Sequence, residues 1–181
     1  MKGYFNDFKD ALGFRESGNR YNVVNSYGYV GRFQFGKERL WDLGLSLNGW
    51  KPSGWKWNNR DKITVEQFLA DKKLQDTLFS LHVDLLMEII KRRFIDYLNR
   101  KIGGVMITES GLVAGMHLKG EGGVKRFLES GKSNIDGYGT QITEYIDKFS
   151  GYCLRYASKE EVQEQSKWIA DLEIKPLDVI V

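Results

Sequence analysis

Glu16 is the residue of this chain best placed to do chemistry. It ends a stretch, residues 4–17, in which Tyr4, Phe5, Phe8, Leu12 and Phe14 fall near one helical face. The texture then changes at once to GNRYNVVNSYGYVGRFQFG, residues 18–36, rich in Gly, Asn and Tyr. A carboxyl at such a junction can be held rigidly and face a cleft. Tyr21, Tyr27, Tyr29, Phe33 and Phe35 supply aromatic surface close in sequence. Partial burial against aromatic rings can keep a glutamic acid protonated, the state that donates a proton to a glycosidic oxygen. Position alone does not decide for this chemistry, because a Glu at a helix end is more often a solvated residue.

Two-carboxylate glycosidases need a second acid facing the first. Asp61, Glu66, Glu109 and Asp136 are the candidates, and none carries a motif for the role. Glu109 falls in the first turn of a predicted helix, where a carboxylate suits the helix dipole. Cys153 is the one cysteine, and no Cys/His pattern with zinc spacing exists, so neither metal nor cofactor is expected. Trp50, Trp55 and Trp57 lie in one loop, and packing onto the core outweighs sugar stacking as their expected role. His82 is expected to pack within an apolar helix, and Met87 and Met106 to fill core. Lys91-Arg92-Arg93 reads as a solvated helix face.

The elements that must position these residues are mostly helical. A helix over 4–17 is followed by short β-like pieces near Tyr21–Val24 and Tyr29–Phe35. Residues 37–47 resume a helix that Gly44 weakens. Thr64 with Gln67 fits a capping box and opens a long apolar-faced helix to about residue 100, with a break near Asp71 and an end at Gly103-Gly104. A compact helix spans 108–118 with Thr108 or Ser110 as N-cap, a glycine turn follows at 120–123, and further helices cover 123–130, the stretch from Thr140, and 158–171. The fold class is mainly α, with a small β-like or loop insert near the N-terminus.

Composition sets the bounds. The chain has 181 residues, 41% hydrophobic and 28% charged, enough for one domain with a real core. A net charge of +3 is too mild to argue for nucleic acid. No segment has the apolar length of a membrane span. The first residues lack a signal-peptide pattern. The expectation is a protein that stays in the cytoplasm or leaves it by a route that does not use such a peptide.

Four elements together resemble the lysozyme-like lytic transglycosylases. Arg15-Glu16-Ser17-Gly18-Asn19 resembles their Glu-Ser pair at a helix end, and Gly28, Gly31 and Gln34 resemble their Gly-x-x-Gly-x-x-Gln element. Ala114 to Val124 is similar to an Ala-Ala-(Tyr/His)-(Asn/Leu)-x-Gly-x-Gly-x-Val stretch, and Asp136-Gly137-Tyr138-Gly139-Thr140 to an Asp-x-x-Gly-Thr segment of bacterial and phage-like peptidoglycan-cleaving proteins. The resemblance spans about residues 7–151. It implies a lysozyme-like, two-lobed helical catalytic domain over 1–151, with 152–181 as an extension that covers the domain or binds a partner.

The resemblance also implies roles. Glu16 matches the catalytic acid/base, Ser17 the serine that supports it by hydrogen bonding, and Gln34 the glutamine lining the cleft floor. Gln75 stands where the family has a glutamine facing substrate. Met116 and His117 replace the usual Tyr-Asn, so the usual contacts there change, and His117 would either donate to sugar or peptide or pack between helices. Tyr29, Phe35 and Tyr138 complete the expected substrate contacts. The implied reaction is cleavage between N-acetylmuramic acid and N-acetylglucosamine in peptidoglycan glycan strands. The alternatives are an inactive wall- or partner-binding module on the same fold and a chitinase-like glycosidase. With no visible signal peptide, an enzyme for this substrate would be made in the cytoplasm and carried to the periplasm or cell wall by phage lysis, a phage tail or a contact-dependent secretion apparatus; the last would make it an antibacterial effector with an immunity protein as a partner.

Overall fold

A computed structural model describes residues 2–54, 60–133 and 139–155. Among these residues helices dominate, and the strands are short. Trp55, Trp57, Asp136, Tyr138 and the helix expected over 158–171 lie outside the described residues. No helix among the described residues is long and apolar enough to cross a membrane.

The chain divides into two compact units, one holding residues 2–12 and 80–155, the other residues 13–79. Two helices, α1 (Phe5–Ser17) and α4 (Lys72–Ile89), each contribute to both.

In the first unit α5 (Glu109–Ser130) packs on α6 (Ile142–Lys148). Thr108 caps α5 by accepting from the Gly111 N–H at 3.1 Å. Glycine lets α6 come close: a Cβ on Gly111 would lie 2.8 Å from the Ile146 carbonyl oxygen. Gly120 departs from helical geometry (φ 67°, ψ 173°), so α5 is two helices joined at a kink, where the sequence places its glycine turn. Leu112, Val113, Met116, Val124 and Phe127 of α5 are fully buried with Ile146 and Phe149. Phe8 meets Phe149 and Tyr152 edge-on, and Gly3 bridges to Tyr152. Residues 152–154 belong to this unit.

The end of the long helix differs from expectation. After Ile89 the chain passes through a π-helical turn, Ile90–Phe94, and a 3-10 turn, Ile95–Tyr97. Gly103-Gly104 do not cap a helix; both have positive φ and form the turn between β3 (Lys101–Ile102) and β4 (Val105–Met106). Met106 is exposed on that hairpin rather than buried in a core.

In the second unit α2 (Lys37–Asp42) stops early. Past Gly44 the chain becomes strand β1 (Leu45–Leu47), fully buried and parallel to β2 (Asp61–Ile63). The helix expected over 37–47 thus ends where Gly44 takes a φ of 97°. Thr64 forms the capping box with Gln67 and opens α3 (Val65–Ala70). Asp71 breaks the helix, and its carboxylate accepts from the Leu74 N–H at 2.8 Å in the first turn of α4. Phe33 stacks on Phe79 with centroids 4.0 Å apart, and Phe35, Leu40, Trp41, Phe68 and Leu78 complete the core.

Candidate active site

Glu16 is half-buried in the last turn of α1. It follows buried Leu12 by four residues, on the same side of the helix. The turn that carries it is fixed at Ser17. The Ser17 hydroxyl is buried, 2.8 Å from the Arg32 carbonyl oxygen and 3.2 Å from that of Gly13, and it accepts from the Arg20 N–H at 3.0 Å. These are all backbone groups. Ser17 therefore supports the Glu16 turn by hydrogen bonds to the main chain.

Gly28 to Gly36 forms a tight double-backed loop. Val30 bridges to Val24 on one side and to Phe35 on the other. Gly31 must be glycine: its φ is 75°, and a Cβ would lie 2.2 Å from Gln75 Oε1 and 2.9 Å from Phe68. Gln34 takes a φ of 49° and donates from Nε2 back to the Gly31 carbonyl at 2.8 Å. It is half-buried.

Three expected substrate contacts prove to be core. Gln75 is fully buried; its Oε1 accepts from the Arg32 N–H at 2.8 Å, and its Nε2 donates to the carbonyls of Phe68 (2.9 Å) and Tyr21 (3.1 Å). Both amide hydrogens and the oxygen are thus bonded within the protein, which gives Gln75 a structural role. Phe35 is buried beside Phe33, and Met116 is buried in the apolar face of α5. The sequence signal was the motif position, which does not say which way a side chain turns.

Tyr29 is accessible, with its ring against Gly36. Tyr27, at the tip of the same loop, is more exposed still, and the sequence reading had not singled it out as a contact. The loop is braced by Asn25, whose side-chain oxygen accepts from the N–H groups of Tyr27 (2.9 Å) and Tyr29 (3.0 Å). Trp50 turns an edge to Trp41, and Lys37 lies over its ring at 5.1 Å, so it packs the loop as expected.

Glu16, Ser17, Tyr29, Gln34 and Gln75 all belong to the second unit, whereas Met116 and His117 belong to the first. There His117 Nδ1 lies 3.0 Å from Nε2 of His82, a buried residue of α4. Among the candidate second acids, Asp61 and Glu66 are exposed, and Glu109 sits in the first turn of α5 as its dipole role predicts. Among the described residues no cluster of three or more His, Cys, Asp or Glu could hold a metal ion.

Set against models of known families, curated proteins and solved structures, the chain matches none.

Proposed function

We propose that the protein has a lysozyme-like fold and cleaves the β-1,4 bond between N-acetylmuramic acid and N-acetylglucosamine in peptidoglycan, with Glu16 as acid and then base. One observation carries the reading most. The helix end that carries half-buried Glu16 is tied, through the Ser17–Arg32 bond, to a Gly-x-x-Gly-x-x-Gln loop whose Gly28, Gly31 and Gln34 all take positive φ. A carboxyl on a helix end tied to a loop that bears accessible Tyr rings suits a polar sugar polymer.

Glu16 donates its proton to the glycosidic oxygen as the bond from that oxygen to C1 of the muramoyl sugar breaks. Positive charge develops at C1 in an oxocarbenium-like transition state. The Glu16 carboxylate then removes a proton from the muramoyl 6-hydroxyl, whose oxygen closes on C1 to give the 1,6-anhydro product. Removing it from water instead gives a reducing end. The first course is favoured by the absence of a motif-bearing second carboxylate.

Digestion of purified sacculi with wild type and Glu16→Gln, with muropeptides read by mass, tests this. Anhydro-muropeptides from wild type alone are expected. Reducing ends would make the protein a muramidase, and cleavage of chitin alone would make it a chitinase-like enzyme. Sacculus binding without release by either protein would leave a binding module.

A further inference from the structure

We infer that Arg32 is a positioning residue that clamps the last turn of α1 and so fixes Glu16; as a catalytic device this rests on the function proposed above, but the clamp itself is open to a separate test. Arg32 is buried. Its carbonyl takes the Ser17 hydroxyl, and its N–H donates to Gln75. Its Nε donates to Asn19 Oδ1 at 2.9 Å. Its Nη1 donates to the Tyr21 hydroxyl at 2.9 Å and pairs with Asp76 at 3.1 Å. The guanidinium also lies over the rings of Tyr21 and Phe33, 5.2 and 5.0 Å from their centroids.

The contact with α1 comes from both ends of the turn that holds Glu16. At one end Ser17 is bonded to the Arg32 backbone. At the other, Gly13 leaves room for the Arg32 side chain: a Cβ there would stand 2.8 Å from Arg32 Nε and 2.5 Å from Asn19 Oδ1. Gly13 is in mid-helix with no positive φ, so helix geometry does not demand glycine at this position. The space is what demands it. Beyond Ser17, Asn19 takes a left-handed φ of 60° with its side chain held by the same guanidinium. Gly13, Ser17 and Asn19 are thus gripped by one residue, and Glu16 lies between them. A planar, five-donor group makes such a many-sided clamp, which a lysine ammonium cannot reproduce.

Gly13→Ala is the sharpest probe. It removes no charge and no bonding group, and alanine favours helix over glycine, yet its methyl runs into both Asn19 Oδ1 and the Arg32 Nε bonded to it, so the pair must shift. Arg32→Lys is the second variant. Each is compared with wild type for product release from sacculi, for sacculus binding and for amide hydrogen exchange in peptide 13–20. With wild type active, the expected result is a kcat lower by about tenfold or more, with KM and binding kept within about twofold, and faster exchange in that peptide. A kcat within about twofold of wild type in Gly13→Ala overturns the proposal. If wild type releases nothing, the function fails and exchange alone decides the clamp: faster exchange in both variants supports it, and unchanged exchange overturns it. If Arg32→Lys does not fold, Gly13→Ala decides by the same criteria.

Discussion

The Ser17 hydroxyl lies 2.8 Å from the carbonyl oxygen of Arg32, fifteen residues further along the chain. The bond joins the end of a helix to a loop that has almost no regular structure of its own. It ties the Gly/Asn-rich stretch to the turn that carries Glu16 and makes Ser17 the joint between two backbones.

Ser17→Ala removes that joint together with the acceptor for the Arg20 N–H. Loss of buried hydrogen bonds of this kind costs about 1–3 kcal/mol. For a chain of this size each kcal/mol lowers Tm by about 2–4 °C. Calorimetry is expected to show a fall in that range, and muropeptide release is expected to drop by more than the folded fraction does. Equal losses in both would make Ser17 a stabilising residue only.

Two glycines of the loop separate conformational strain from crowding. Gly28 and Gly31 have nearly the same φ, 81° and 75°, but a Cβ on Gly28 meets nothing within 4 Å, whereas one on Gly31 strikes Gln75 and Phe68. Gly28→Ala is expected to cost about 1–2 kcal/mol, the left-handed penalty alone. Gly31→Ala adds overpacking against a buried, fully bonded amide and is expected to exceed about 3 kcal/mol. Urea unfolding of both variants would show the gap; similar midpoints would contradict the packing around Gln75.

Much of this frame is legible in the sequence, because it follows from local rules. The α1 stripe, the Thr64–Gln67 capping box, the Thr108 cap and the break at Asp71 are each set by a few adjacent residues. What is not legible depends on distant partners. Leu45–Leu47 forms a strand because Asp61–Ile63 lies beside it, and no local pattern in LSL announces that. Gly103-Gly104 suits a helix stop and a hairpin turn equally, and pairing of the flanking residues selects the hairpin. Gln75, Phe35 and Met116 hold motif positions, yet each is buried by contacts from elsewhere in its unit. Arg32, charged and in a loop, gave no sequence signal of burial, because Asn19, Tyr21 and Asp76 converge on it only in the fold.

Tyr21 predicts an alkaline signature. Burial first, and the neighbouring Asp76 carboxylate second, hold its phenol above the ordinary value of 10.0, with Arg32 opposing. The folded chain therefore keeps this proton to higher pH than the unfolded chain. The stability so gained is fully present below the unfolded value and is lost as pH rises through the folded one. Tyr21→Phe is expected to be less stable near neutral pH, by about 1–2 kcal/mol for the lost bonds to Asp76 and Arg32. It should also lose stability less steeply above about pH 10. Urea midpoints against pH for both proteins would reveal it, and parallel curves would remove Tyr21 as the source.

Tyr27 separates recognition from stability. Its ring is 61% exposed at the tip of a loop that Asn25 holds rigid, so it contributes little to the core and loses little freedom when a ligand covers it. Tyr29 is also accessible, but its ring packs against Gly36. Tyr27→Ala should therefore leave Tm within about 2 °C of wild type, since the surface loss is below about 0.5 kcal/mol. If the ring stacks on a sugar, affinity for soluble glycan fragments should fall by about 1 kcal/mol or more, about fivefold to tenfold. Tyr29→Ala is expected to lose both affinity and stability. Calorimetric titration with a purified glycan fragment, beside thermal melts, reads the two effects separately. Unchanged affinity in Tyr27→Ala would leave the tip outside the glycan site and put recognition on Tyr29 and Gln34.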